Sequence, residues 1–373
     1  MFYIVNYTYN PNTAVSNRLL GYYAALDKLG ITTTVIYLIP NNNKITAKYK
    51  NIKIDYIQHK ITYKNKILQY LQVQKDIHNF IRTLKPGDIV YTYGIKRVTK
   101  ELLKAKGVKI FAEKTEHISI CTGGRITSLN ERQTIKVAQK LNGLFVISEA
   151  LKKYFISHGV NSNKIEIINM FVNSDRFIGL KKGKTTDKYI AYCGTASNNK
   201  DGVDELLKSF AIISSKNPNI KLYIIGQTPS KEDISNNLAL IDSLHISDKV
   251  VFTGIVSMQD MPQLLKNAEA LVLARPDSIQ AQYGFPTKLG EYLLTGNPVV
   301  VTKVGDISKF LTHGVSALLA EDRNPKDFAD KLEWIFTHKD EADVIGKKGA
   351  EIAQKYFNNE IETRKLIEFI KSH

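Results

Sequence analysis

The chain has 373 residues, 43% of them hydrophobic, which is too long for one ordinary core and too apolar for disorder, so two domains are expected. Its two cysteines, Cys121 and Cys193, cannot build a disulfide framework and suit a cytosolic protein, and no apolar run approaches the roughly 18 residues of a membrane-spanning helix. The formal net charge of +16 is unevenly placed: residues 1–175 hold 26 Lys and Arg against 11 Asp and Glu, net +15, whereas residues 176–373 hold 26 against 25. Two readings stand for that imbalance. Either the first half meets an anionic surface, lipid pyrophosphate or nucleic acid, or lysine is simply used for solubility, which explains the sign but not the asymmetry.

Phe2 to Tyr7 reads as a first strand rather than a signal peptide, because MFYIVNYTYN has no basic region and no small cleavage residues. Thr13 follows as an N-cap, Leu19, Leu20, Tyr23 and Leu26 keep helical spacing, and Gly30 supplies a stop. Strand-like runs recur at Thr32–Leu38, Ile52–Ile57, Asp88–Tyr93, Val108–Ala112 and Leu144–Ser148, with helical patterns around Ile67–Leu84, Thr99–Lys106 and Ile135–Leu141. This alternation predicts a parallel, doubly wound sheet. Tyr63–Lys85 is either an amphipathic helix that touches a membrane or a helix packed on the sheet, the second being favoured. The run EKTEHISICTGGR after Val108–Ala112 places Glu113, Glu116, His117 and Arg125 where the carboxyl end of the sheet opens into a crevice; a loop with scattered polar residues explains them equally well.

In the second half, Tyr189–Cys193 reads as a strand that runs into GTASNNKDGVDELLKSF, with Gly194 at the turn and a helix from about Val203. A glycine lets the backbone approach a phosphate, and Lys200 can reach the same anion. Leu222–Gly226 and Val250–Gly254 are two further strands ending in glycine, and Ala270–Ala274 is another. Arg275, in ARPDSIQAQYG, either contacts phosphate or acceptor through its planar fork or pairs with Asp277. Val299–Thr302 and Ala317–Ala320 complete a second sheet, followed by helical runs at Pro325–Thr337 and Asp340–Tyr356 and a helical tail to His373.

The stretch YGFPTKLGEYLLTGNP, Tyr283 to Pro298, lies between two buried strands. Pro286 marks a helix start and Gly296 its stop, so the helix spans about Pro286 to Thr295. Its N-terminus offers free N–H groups to a phosphate, and Lys288 adds a full charge. Glu291, three residues on and on the same face, is suited to accept hydrogen bonds from the two hydroxyls of a ribose, so the ligand read from these residues is a nucleoside diphosphate. The competing reading is a solvated surface ion pair, which the Gly284-Phe285-Pro286-Thr287 lead-in and the flanking strands disfavour.

GFPTKLGEYLLTGNPVVVT resembles the donor-binding segment of retaining glycosyltransferases of family four, and the resemblance extends more thinly over residues 1–373. It implies an α/β fold of two facing Rossmann-like, doubly wound parallel-sheet domains (GT-B type): 1–172 on the acceptor side, 173–350 holding the nucleotide-sugar, and 351–373 as a terminal helix packed back on the first. Asn169 to Arg176 resembles the joint between them. The resemblance assigns Glu291 to the ribose, Gly284, Phe285, Pro286 and Thr287 to the diphosphate, and the backbone of Gly254, Ile255 and Val256 to the base. Gly194 and Thr195 stand where the family has a glycine followed by a basic residue. Lys200 and Lys288 become the cations facing the leaving diphosphate, Arg275 and Asp277 join the donor site, and Glu116, then His117, are assigned beside the reacting sugar. One departure is Tyr283, where the family usually has a sugar-contacting Glu; Asp277, Gln280 and Gln282 are the nearest polar replacements. Another is the turn Asn10, Pro11, Asn12, Thr13, which lacks the glycine pair often found after the first strand.

The activity implied is transfer of a sugar, with retention, from a nucleotide-sugar to a glycan or polyprenyl-linked acceptor in cell-surface polysaccharide synthesis. It implies no cofactor, no metal ion and no nucleic-acid partner, in a cytoplasmic protein able to lie against an anionic membrane at its inner face. A nucleotide-sugar epimerase or hydrolase on the same scaffold is the alternative; a basic nucleic-acid-binding protein is a third reading that no recognisable motif supports.

Overall fold

A computed structural model describes residues 1–11, 13–39, 43–56, 66–121, 128–227 and 230–373. Asn12, Ile57, the Tyr63–Asn65 start of the amphipathic stretch, and Arg125 lie outside the described residues. The chain forms two compact units, one of Met1–Asn169 with Asn359–His373, the other of Met170–Asn358.

The first unit runs β1 (Phe2–Asn6), α1 (Ala14–Lys28), β2 (Thr33–Tyr37), β3 (Ile52–Tyr56), α2 (Lys66–Thr83), β4 (Ile89–Tyr93), α3 (Arg97–Leu102), β5 (Lys109–Lys114), α4 (Ile118–Cys121), α5 (Ser128–Lys140), β6 (Gly143–Val146), α6 (Glu149–Ser157) and β7 (Ile165–Ile167). All strand pairs are parallel, in the order β3-β2-β1-β4-β5-β6-β7. The order reverses between β1 and β4, as in a doubly wound sheet. Thr13 caps α1 by accepting a bond from the Ser16 amide, and Gly30 ends it at φ +69°. Helix α2 packs inward through Val73, Ile77 and Phe80, whereas Ile67, Leu68 and Leu71 near its start are exposed. Neither α6 nor β7 was expected from periodicity.

The second unit runs β8 (Lys188–Cys193), α7 (Asn198–Asp201), α8 (Val203–Lys216), β9 (Ile220–Ile225), α9 (Lys231–Ser243), β10 (Val250–Gly254), α10 (Met261–Asn267), β11 (Ala270–Leu273), α11 (Ile279–Tyr283), α12 (Thr287–Leu294), β12 (Val299–Thr302), α13 (Ile307–Phe310), β13 (Leu318–Ala320), α14 (Pro325–Thr337) and α15 (Lys339–Tyr356). Its strands are also parallel, in the order β10-β9-β8-β11-β12-β13. Counted within the unit, this is the order of the first six strands of the other sheet. Central strands such as ALVL in β11 and VVVT in β12 are buried throughout, as strands covered on both faces must be. Helix α8 packs on α14, and α12 on α15. The chain re-enters the first unit at Asn359, where α16 (Asn359–Ser372) packs on α1. Among the described residues no helix is long and apolar enough to cross a membrane.

Candidate active site

In the second unit the strand order reverses between β8 and β11, and the segments leaving the carboxyl ends of two such strands flank the crevice in which ligands of open α/β sheets bind. From β8 comes Gly194, at φ +154°; a side chain there would run into the Lys288 ammonium, so the lysine occupies space that only glycine leaves open. Lys288 stands in the first turn of α12, which spans Thr287–Leu294 with Pro286 at its N-cap. One turn further, the Tyr292 hydroxyl accepts a bond from the Cys193 amide (2.5 Å) and lies 3.2 Å from the Cys193 carbonyl, fixing the helix to the end of β8.

The Lys288 ammonium donates to Asp201 Oδ2 at 2.5 Å and to the Tyr192 hydroxyl at 3.0 Å, and lies 4.5 Å from the Tyr192 ring centroid. The Tyr192 hydroxyl is 2.7 Å from both Asp201 Oδ2 and the Thr195 carbonyl, and its one proton serves one of them. Asp201 has a side-chain exposure of 0% against 13% for Lys288, so the pair is nearly dry and the lysine alone touches the crevice. Asp201 Oδ1 is buried, with no hydrogen-bond partner among the described residues. Burial alone would raise the Asp201 carboxyl; the charge and hydrogen bond of Lys288, with Tyr192, outweigh it and hold the carboxyl below its ordinary 3.8. Asp201 is therefore an anion and Lys288 its ammonium partner.

Glu291 lies on the same helix, and its Oε1 accepts from Arg176 at 2.6 Å; the same guanidinium donates to the Met258 carbonyl at 2.8 Å. Arg176 thus fixes one carboxylate oxygen of Glu291 from one side. Burial pushes the Cys193 thiol up to about 12, so this cysteine is no nucleophile at neutral pH.

The other residues singled out in the sequence divide into two sets. Lys200, on α7, is half-buried beside the Lys288–Asp201 pair, and Thr195 is exposed at the same turn. Gly254 ends β10 and pairs its carbonyl with the Gly226 amide, Ile255 is exposed and Val256 half-buried. Two side chains are turned into the protein. Phe285 is buried against Phe310 and Phe357, with ring centroids 5.5 and 5.3 Å away, so its ring anchors the loop. Arg275 is 3% exposed and donates to the Gln280 carbonyl at 2.6 Å, a bond that shapes the loop before α11. Asp277 is exposed, with a long 3.4 Å contact from Gln282.

In the first unit, β5 continues two residues past Ala112, and this moves Glu113 out of the crevice loop into the sheet. Its carboxylate, fully buried, accepts from Arg18 at 2.7 Å, from Tyr22 at 3.2 Å and from Tyr91, while Arg18 also donates to the carbonyls of Ile168 and Asn169. Glu116 is half-buried past the strand end. His117 is buried, its Nδ1 2.8 Å from the Ser119 hydroxyl and its ring edge-on to Tyr154; burial lowers its pKa and favours the neutral imidazole. Asp201, Tyr192 and Arg176 were assigned no role from sequence. The signals available for them, a KDG turn before a helix and a tyrosine inside an apolar strand, are too common to select them.

Residues 187–338 match a family described as Glycosyl transferases group 1. That segment, most of the second unit, belongs to the group 1 glycosyl transferases. The chain is 27% identical over 175 residues to mannosylfructose-phosphate synthase of Agrobacterium fabrum, covering 46% of this chain and 37% of that one. It is 25% identical over 232 residues to the capsular polysaccharide biosynthesis glycosyltransferase CapM of Staphylococcus aureus, 58% of each. The matches therefore span less than two thirds of either relative. HepE of Anabaena, solved in complex with UDP, shares the fold over 100% of both chains with a TM-score of 0.75 at 15% identity. The two sheets are those of a GT-B fold.

Proposed function

We infer that the chain is a glycosyltransferase that moves a sugar, with retention, from a nucleotide-sugar to a glycan or lipid-linked glycan acceptor in cell-surface polysaccharide synthesis, in the cytoplasm and against the inner face of the membrane. The observation that carries this reading is Lys288, seated beside Gly194 at the strand-order reversal of a group 1 glycosyl transferase segment. Complexes of HepE with UDP and with UDP-glucose support a nucleotide-sugar donor, and the role in CapM's name supports the polysaccharide setting.

In this reading Lys288, with Lys200 beside it, faces the diphosphate and stabilises the charge it gains on leaving. Asp201 and Tyr192 keep the ammonium charged and aimed, since an unpaired buried lysine would shed its proton. Glu291, one oxygen held by Arg176, presents the other to the ribose hydroxyls. The backbone at Gly254, Ile255 and Val256 borders the base, and the segment from Gly284 to Thr287 the diphosphate. Glu116, then His117, are the first-unit residues assigned to the sugar or the acceptor hydroxyl. Catalysis rests on orientation and charge stabilisation, with no protein nucleophile.

Thermal-shift screening against nucleoside diphosphates and their sugars identifies the donor, and turnover is then followed with and without acceptor. Lys288→Ala is expected to lower turnover by about a hundredfold or more, the loss seen when one stabiliser of developing charge is removed, and Glu291→Ala to lower turnover by losing the ribose contact that orients the donor. Unchanged turnover in both removes the site assignment, and full consumption of donor without acceptor points instead to a hydrolase or epimerase.

A further inference from the structure

Glu291 sets the donor site an electrostatic problem. A carboxylate suits the hydroxyls of a ribose, yet this one stands three residues from Lys288, on the helix whose start is assigned to a diphosphate, and two anions in one crevice repel each other. Arg176 meets it with two bonds: one terminal nitrogen, Nη1, donates to Glu291 Oε1 at 2.6 Å, and the other, Nη2, to the Met258 carbonyl at 2.8 Å. The pair is half-buried, so its attraction is less screened than that of a surface pair.

Both of its attachments are anchored within the second unit. Arg176 lies on a single 3-10 turn, Ser174–Phe177, which Asn173 caps by accepting from the Asp175 amide at 3.1 Å, and Phe177 beside it is buried. Met258 belongs to the loop that leaves β10, whose start is held where the Gly254 carbonyl accepts from the Gly226 amide at 2.9 Å. One guanidinium therefore ties the carboxylate assigned to the ribose to the loop assigned to the base, in a planar fork that fixes their separation. It also sets the balance of charge. Cys193, at the end of β8, is within electrostatic reach of Lys288, Asp201, Arg176 and Glu291, so the two ion pairs share one neighbourhood. Lys288 is matched by Asp201 and Arg176 by Glu291, which leaves Lys200 as the surplus cation among these residues. Without Arg176, Glu291 would cancel that surplus.

We propose that Arg176 is a positioning residue for the donor: it leaves Glu291 Oε2 to face the ribose hydroxyls, offsets the carboxylate's charge before the diphosphate arrives, and so makes the site select a ribonucleotide over its 2′-deoxy counterpart. The proposal rests on the donor reading above. A carboxylate held by one oxygen does not turn to another partner, so a nucleotide without the 2′-hydroxyl leaves a charged acceptor short of a hydrogen bond. Released from Arg176, the carboxylate turns from the diphosphate towards water and the preference is lost.

The test measures binding of UDP, CDP, GDP and ADP, each beside its 2′-deoxy form, to the full chain and to its Arg176→Met and Arg176→Lys variants, with thermal melting as the check of folding. The parent is expected to prefer the ribose form of its nucleotide by about tenfold or more, the worth of a hydrogen bond to a charged group. Arg176→Met keeps the apolar stem and loses the charge; it is expected to bind the ribonucleotide about tenfold more weakly, and the two forms nearly equally. A residue that merely braced the loop would weaken both forms alike, and a ratio left standing overturns the proposal. Arg176→Lys restores the charge but cannot reach both acceptors at once, so it is expected to recover affinity without selectivity. Recovery of both would mean that charge alone acts, and it too overturns the positioning role. A parent that binds a nucleoside diphosphate with no preference for ribose overturns the proposal and leaves the donor reading standing, whereas a parent that binds none of the four brings down the donor reading as well.

Discussion

The two units have the same order of their first six strands, yet each treats its buried ion pair differently. In the first, Arg18 and Glu113 are both sealed from solvent, and their atoms are used up on each other, on Tyr22 and Tyr91, and on the carbonyls of Ile168 and Asn169. In the second, Lys288 keeps an edge in the crevice and Asp201 Oδ1 has no partner among the described residues. A buried charge with every valence satisfied holds structure together, whereas an incomplete one stays available to a ligand. One pair locks the end of the first unit's chain; the other waits beside a glycine.

Breaking the closed pair should have the larger effect on stability. Arg18→Met leaves Glu113 buried without its counter-charge, and urea unfolding is expected to show a loss of about 3–5 kcal/mol. Binding of nucleoside diphosphate by the remaining folded protein should be unaffected. In the second unit, Lys288→Ala strands Asp201, but Lys288→Ala/Asp201→Ala strands nothing, so a double-mutant cycle should return a coupling of about 0.5–3 kcal/mol. Turnover should stay lost in the double variant even as stability returns. A double variant as unstable as Lys288→Ala alone would mean that the pair is not the reason for the lysine's burial.

The second pair also makes an acid-side prediction. Asp201 has a folded pKa below its ordinary 3.8, so its stabilisation is fully present above about that value and lost as pH falls through the lower folded one. The difference in urea midpoint between the parent and Asp201→Asn should therefore be full at pH 7 and shrink below pH 3.8. A difference that grows on acidification would break the comparison.

What the sequence showed, and what it hid, follows the reach of each interaction. The helix Pro325–Thr337 and the strands Val250–Gly254 and Val299–Thr302 were readable to the residue, because proline, glycine and runs of buried apolar residues act on their neighbours. Lys288 and Glu291 were legible as residues on one helix face, but their partners were not. Asp201 lies 87 positions from Lys288, and Arg176 lies 115 from Glu291, separations at which no local pattern connects two side chains. Glu113 was misplaced for a related reason: a carboxylate inside a central strand violates the apolar pattern, and the counter-charge of Arg18, 95 positions earlier, with the hydroxyls of Tyr22 and Tyr91, makes it tolerable.

The smallest effects separate α1 and α8, the first long helix after the first strand of each sheet. Thr13 closes the start of α1 with its own hydroxyl, 3.2 Å from the Ser16 amide, whereas α8 has Gly202 at its N-cap, at φ +65°, with no side-chain cap. A methyl group at Gly202 would run into the Ala274 carbonyl at the end of β11, so Gly202→Ala carries both that clash and roughly 1–2 kcal/mol of left-handed backbone strain. Thr13→Ala removes only a cap and should cost about 1 kcal/mol, leaving the fold and any nucleotide binding intact. The order of the two urea midpoints is the test. Should Thr13→Ala prove the costlier, tight closure belongs to the first unit's turn, and the second unit's glycine would be there for chain flexibility instead of for the close approach of β11 to α8.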